Sequence, residues 1–153
     1  MSLFRASGTL VAAVVAALLV VVCATPSDVA ARRRVKLGID VLLESRVDLL
    51  TGKRVGLLTN PSGVDGRLKP TVERLIEDKR VNLVQLFAPE HGLSGDGRSG
   101  TSDRGAYYRH RGRKIPVQGL FGKRRRPTAE ALKRIDVLLF DIQDIGSRTY
   151  TYI

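Results

Sequence analysis

From residue 35 onward the chain switches between two hydrophobic spacings. In residues 35–50, Leu37, Val41, Leu42, Val47 and Leu50 recur at roughly helical intervals, and Gly52 supplies a stop, which predicts one helix. Arg54-Val-Gly-Leu-Leu-Thr59 is a short apolar run closed by the turn cluster Asn60-Pro61-Ser62-Gly63, and it predicts a strand. Residues 70–80 predict a second helix: Pro70 suits a first turn, Val72, Leu75 and Ile76 share a face, and Glu73 and Glu77 stand near Arg74, Lys79 and Arg80. Further strands are expected at 82–88, 115–120 and 136–141, and a short helix at 128–134 that starts at Thr128 or Pro127. The last strand is nearly all apolar, the pattern of a strand covered on both faces. Residues 92–112 are rich in Gly, Ser, Asp and Arg without a period, which predicts a long surface loop. Strands alternating with helices make an α/β fold with a parallel sheet.

Residues 1–34 follow another pattern. Arg5 is the only charge before Asp28, residues 10–22 are an unbroken apolar run, and Cys23-Ala24-Thr25-Pro26 follows. This reads as a secretory signal peptide at residues 1–24, cleaved after Ala24 or alternatively after Ala31, and it implies a secreted or periplasmic protein. An uncleaved anchor and a lipoprotein built on Cys23 are the competing readings; the run is short for a spanning helix of about 20 residues, and Val22 fits poorly before a lipidated cysteine. Residues 25–36 then form a basic linker. Either cleavage removes the single cysteine, which suits an oxidising compartment. With one Cys and with His only at 91 and 110, the 153 residues offer neither a disulfide scaffold nor a structural zinc cluster.

The polar residues that suit chemistry fall where predicted strands end. In an open parallel sheet the ligand crevice lies beyond the carboxyl ends of the strands. Those ends carry Asn60, then Glu90 and His91, then Asp141, Gln143 and Asp144. Each has an ordinary explanation alone, as a turn, loop or cap residue. Together they favour a site. Glu90 with Asp141 or Asp144 could form the pair of carboxyls, one protonated and one ionised, that glycoside hydrolysis uses. The same oxygens, with His91, could instead hold a divalent cation, and spacing does not decide between the two. No Walker loop, dinucleotide fingerprint or Gly-x-Ser-x-Gly elbow is present.

Four blocks carry a family resemblance. Gly52-Lys-Arg-Val-Gly-Leu-Leu-Thr-Asn-Pro-Ser-Gly-Val64, Leu86-Phe-Ala-Pro-Glu-His-Gly-Leu93 with Gly95-Asp96, Arg126-Pro-Thr128, and the run from Asp136 to Ile153 closely resemble the bacterial exo-β-N-acetylmuramidases of glycoside hydrolase family 171. The resemblance covers residues 37–153. It implies a Rossmann-like parallel sheet with flanking helices and removal of terminal N-acetylmuramic acid from peptidoglycan fragments, with no cofactor and no metal. It makes Glu90 the leading catalytic acid, His91 the group that orients it, Asp141 and Asp144 the partner carboxylates, and Asn60 and Gln143 substrate ligands. Members of this family are longer, so residues 37–153 read as the N-terminal part of a catalytic domain that stops after its fourth strand and lacks full activity alone. A non-catalytic fragment that binds peptidoglycan or anionic wall polymers is the alternative.

Charge adds one question. The 26 Lys and Arg exceed the 15 Asp and Glu by 11, and they gather at residues 32–36, at Arg109, Arg111, Arg113 and Lys114, and at residues 123–126. A nucleic-acid platform needs interleaved aromatics, for which only Tyr107-Tyr108 offers itself, so nucleic acid is not an expected partner. A solvated basic surface explains most of the excess. The sharper reading is a clamp on the lactyl carboxylate of muramic acid, with Arg148 and the loop arginines as candidates.

Overall fold

The computed structural model describes residues 35–97 and 106–143, all of which except Val35 belong to the compact unit Lys36–Ile153. The expected signal segment and most of the basic linker lie outside them, as do Asp144 and Arg148. Among the described residues no helix is long and apolar enough to cross a membrane.

The order is α1 (Gly38–Ser45), a 3-10 turn (Val47–Leu49), β1 (Arg54–Thr59), α2 (Thr71–Glu77), β2 (Asn82–Ala88), β3 (Tyr107–His110), β4 (Arg113–Gly119), α3 (Ala129–Leu132) and β5 (Val137–Asp141). The strands form one sheet in the order β3-β4-β2-β1-β5. β1 runs parallel to β2 and β5, β2 runs parallel to β4, and β3 is antiparallel to β4. The α/β fold and its four parallel strands are as expected from the sequence. Leu57, Leu75, Leu83, Leu86 and Phe87 are fully buried, and each such side chain contributes about 1.5–3 kcal/mol on removal from water.

Three expectations need correction. The predicted helix at 35–50 is two pieces, because Arg46 (φ −135°, ψ 24°) leaves the helical region and breaks the ladder before the 3-10 turn. The loop expected at 92–112 contains β3. Arg111 and Gly112 both have positive φ, 46° and 76°, so they make the tight two-residue turn that joins β3 to β4, with His110 opposite Arg113. β5 is not covered on both faces: Leu138 and Phe140 are 43% and 56% exposed, and among the described residues nothing pairs with its outer edge.

Ion pairs fasten the amino-terminal side of the sheet. Arg54 Nη2 lies 2.6 Å from Asp136 Oδ1, and the Arg54 N–H donates to Asp136 Oδ2 at 2.8 Å, which ties the start of β1 to the residue before β5. Hydrogen bonds from Arg54 hold the Asp136 carboxyl down at about 2. Across the sheet, Glu77 on α2 accepts from Lys69 and from His110 Nε2 at 3.0 Å, and Arg111 Nε lies 2.9 Å away. The bonds from Lys69 and then His110 hold Glu77 at about 2 as well, against its burial. Glu73 accepts the Tyr108 hydroxyl at 3.2 Å. Burial first, and Glu73 second, push that hydroxyl up to about 12. Possible ligand atoms of Glu73, Glu77 and His110 lie within 4.8 Å of one another, a juxtaposition the sequence did not predict. Lys69 and Arg111 already neutralise Glu77 there, so the cluster works as a charge network that docks the β3–β4 hairpin onto α2.

Both depressed carboxyls give the same sign of pH dependence. Their ordinary values are 3.8 for Asp136 and 4.5 for Glu77, so their stabilisation is complete above about pH 5 and is lost as pH falls toward about 2. Thermal melts between pH 6 and pH 2 should therefore show a falling midpoint, and Asp136→Asn or Glu77→Gln should flatten that slope. A wild-type midpoint that stays level over this range would contradict the assignment.

Candidate active site

The chain lays down β1, β2 and β4 toward one side and then returns with β5 to the other side of β1. Strand order therefore reverses between β1 and β5, and a crevice opens at their carboxyl ends. Asn60–Gly63 leave β1 there, and Ile142–Gln143 leave β5. Glu90 leaves β2, on the other side of β1 from β5, so the backbones carrying Glu90 and Asp141 stand about 10 Å apart by strand spacing.

The β1 turn is fixed by its own polar groups. Asn60 is 5% exposed, and its Oδ1 accepts both the Ser62 N–H at 3.0 Å and the Ser62 hydroxyl at 2.6 Å. The Ser62 hydroxyl in turn accepts the Gln143 N–H at 2.9 Å, which stitches the β1 turn to the segment after β5. At the strand ends, Thr59 Oγ1 donates to the Asp141 carbonyl at 2.8 Å. Thr71, buried at the start of α2, donates its hydroxyl to Asp141 Oδ2 at 2.5 Å, and its N–H donates to the Gly63 carbonyl at 2.9 Å. Asp141 is thereby held by two segments distant in sequence, its carbonyl by Thr59 and its side chain by Thr71. Asp65 secures the approach to α2: it is buried, its Oδ1 accepts the N–H groups of Arg67 and Lys69, and Arg74 Nε forms an ion pair with Oδ2 at 3.2 Å. Burial opposes its ionisation, but those N–H groups and Arg74 outweigh it and hold its carboxyl below the usual range.

Glu90 and His91 sit on a loop that folds back on itself. The Glu90 side chain is only 17% exposed, and His91 Nε2 lies 3.8 Å from its Oε1. His91 takes a positive φ of 68°, which turns the ring so that Nδ1 meets the Gly97 carbonyl at 3.0 Å. Gly95 also has a positive φ, 74°, and a Cβ there would lie 2.8 Å from Pro61 Cγ. That close approach seats the Glu90 loop against the Asn60–Ser62 turn. Gly95→Ala is therefore expected to lose about 1–2 kcal/mol from the left-handed backbone alone and to loosen this contact; a denaturation midpoint equal to wild type would show that the two loops are not packed as described.

The structure thus gathers Asn60, Glu90, His91, Asp141 and Gln143 at one edge of the sheet. Ser62, Thr59 and Thr71 join them, and sequence reasoning did not single them out. Ser62 had one signal, its place in an Asn-Pro-Ser-Gly turn; Thr71 had none, since its partner Asp141 is 70 residues away. Arg109, Arg111, Arg113 and Lys114 are elsewhere. They belong to the hairpin whose turn lies at the amino ends of the parallel strands, and Arg113 donates to the Leu83 carbonyl at 2.8 Å near the start of β2. The clamp on a carboxylate at the crevice is therefore not theirs. Nor do Tyr107 and Tyr108 form a stacking platform, since Lys114 Nζ caps the Tyr107 ring at 3.9 Å and Tyr108 is bonded to Glu73.

A family model described as "Exo-beta-N-acetylmuramidase NamZ, N-terminal" matches residues 55–153, which hold all five strands but for Arg54 and every site residue named above. The chain belongs to the NamZ family. The peptidoglycan β-N-acetylmuramidase NamZ of Bacillus subtilis (strain 168) is 46% identical over 127 residues, 83% of this chain and 30% of that protein. Two NamZ-like crystal structures, both DUF1343 family proteins of Bacteroides fragilis NCTC 9343, share the fold. BF0371 is 51% identical with a TM-score of 0.64 and aligns with 79% of this chain and 29% of its own. BF0379 is 30% identical with a TM-score of 0.54 and aligns with 76% of this chain and 28% of its own. This NamZ-family chain spans a little under a third of the length of these relatives.

Proposed function

We propose that this chain supplies the N-terminal part of an exo-β-N-acetylmuramidase site, in which Glu90 protonates the glycosidic oxygen of a terminal N-acetylmuramic acid. The observation that carries the reading is the placement of Glu90: largely buried beside His91, on a loop packed against the β1 turn, in a chain of the NamZ family. A general acid must be positioned against the glycosidic oxygen, and a loop fixed by packing against the β1 turn supplies such a position. His91 holds the loop and orients Glu90. Asp141, fixed by Thr71, is one candidate for the second carboxylate and Asp144 is the other. Asn60, Gln143 and Arg148 are the proposed ligands of the sugar. A leading segment at residues 1–24 would export the protein to the compartment where peptidoglycan is found, in keeping with its apolar run and small residues before Thr25.

The test is a chimera in which residues 37–153 replace the matching segment of the Bacillus subtilis relative. Release of chromophore from a β-N-acetylmuramide, and not from the corresponding β-N-acetylglucosaminide, is expected. A folded chimera that binds peptidoglycan but releases nothing would instead support the non-catalytic, wall-binding reading.

A further inference from the structure

We propose that the basic loop after β4, residues 123–126, is an anion subsite beside the carboxyl end of β2 that takes the free carboxylate on the lactyl ether of a terminal muramic acid. The proposal rests on the muramidase reading above and says which part of that substrate the loop holds.

Position separates this loop from the other basic groups. The Leu120 N–H donates to the Ala88 carbonyl at 2.8 Å, so the loop begins beside the end of β2, two residues from Glu90. It closes where Gln118 Oε1 accepts the Thr128 N–H at 3.1 Å and the Thr128 hydroxyl caps α3. Between these anchors Lys123, Arg124, Arg125 and Arg126 are all exposed, and with Thr128 and Glu130 they line an open groove of about 600 Å³. The hairpin cations lie toward the opposite end of the sheet, where Arg111, Arg113 and Lys114 are already occupied by Glu77, the Leu83 carbonyl and the Tyr107 ring.

Charge density adds to position, because four basic residues follow one another in this loop. Arg54, Lys69, Arg74, Arg80 and Arg111 each pair with a carboxylate. Among the described residues, Lys123, Arg124 and Arg126 form no ion pair. Consecutive cations repel one another, and a bound anion relieves that repulsion. A guanidinium presents paired N–H donors that match the two oxygens of a carboxylate. N-acetylmuramic acid carries such a carboxylate and N-acetylglucosamine does not, so this loop would distinguish the two sugars of peptidoglycan by charge.

The experiment titrates the 15N-labelled full chain at low ionic strength with N-acetylmuramic acid, its methyl ester and N-acetylglucosamine. All three are expected to perturb amides of residues 60–63 and 90–97, and only the acid should also perturb residues 123–128. The acid should bind about tenfold or more tightly than its ester, the gain of one charge-assisted contact. In the Arg124→Gln/Arg126→Gln variant the acid should bind no better than the ester. Equal affinity for acid and ester, or a preference unchanged in the variant, overturns the subsite and leaves the muramidase reading standing. Failure of every sugar to perturb residues 60–63 and 90–97 contradicts that reading and removes the subsite with it. Should the double variant lose its native spectrum, salt decides: at about 1 M salt, where the screening length is about 3 Å, a preference of the wild type for the acid that is undiminished also overturns the proposal.

Discussion

Glu90→Gln in the chimera described above should lower kcat for N-acetylmuramide hydrolysis by about 10²–10⁴-fold, the usual contribution of a positioned general acid. Glutamine keeps the shape of the side chain and can still hydrogen bond, but it has no acidic proton to give. Because the Glu90 side chain is 17% exposed and packed beside His91, an isosteric change should leave the loop in place, so KM should change little and the melting midpoint should stay near wild type. A large rise in KM with kcat intact would make Glu90 a binding group. A substrate whose leaving group needs no protonation, such as an activated aryl muramide, should recover much of the lost rate; a variant equally slow on both substrates would contradict the acid role.

The second large effect is structural. Gly63 is buried where β1 meets β5, and a Cβ built on it would lie 2.1 Å from Thr59 Oγ1 and 2.8 Å from the Asp141 carbonyl oxygen. Neither atom is free to withdraw. Thr59 Oγ1 donates to that same carbonyl, and the carbonyl belongs to the backbone of β5. Gly63→Ala should therefore cost about 3 kcal/mol, at the upper end for an inserted methyl group, and should displace Asp141 from Thr71. Urea denaturation measures the first consequence. Thr59→Ala in the same molecule removes the closest clash, so the double variant should be more stable than the Gly63→Ala variant; additive losses would mean that the methyl is accommodated some other way.

The parts of the fold that were legible in the sequence are those with local signals. β1, β2, β4 and β5 are short apolar runs with turn residues after three of them, and α2 and α3 carry helical spacing with Pro70 and Thr128 at their caps. β3 was hidden because it is a four-residue edge strand, Tyr107–His110, whose exposed positions include an arginine and whose turn uses Arg111 in a left-handed conformation that its residue type does not announce. The open face of β5 was hidden for another reason. Hydrophobic pattern reports what a strand is built to have covered, and Leu138 and Phe140 are built for a neighbour that the described residues do not include.

The candidate site divides along the same line. Asn60, Glu90, His91, Asp141 and Gln143 were found because each follows a strand, and strand order then brought the ends together. What holds them was not visible: Thr71 to Asp141, Ser62 to Gln143 and Pro61 against Gly95 are contacts between segments from 34 to 81 residues apart, and they depend on the sheet having formed. Basic residues were the least legible. Arg111 and Arg126 look alike in sequence, yet one is bound to Glu77 at the amino ends of the strands and the other lines a groove beside their carboxyl ends.

The central claim is that the carboxyl edge formed by β1, β2 and β5 belongs to an enzyme that removes single muramic acid units. Mass spectrometry of peptidoglycan fragments bearing N-acetylmuramic acid at the non-reducing end, digested by the chimera, tests it most directly. Free N-acetylmuramic acid as the sole first product, absent from the Glu90→Gln digest, is the predicted result. Disaccharide products, or the same release from the Glu90→Gln variant, would contradict it.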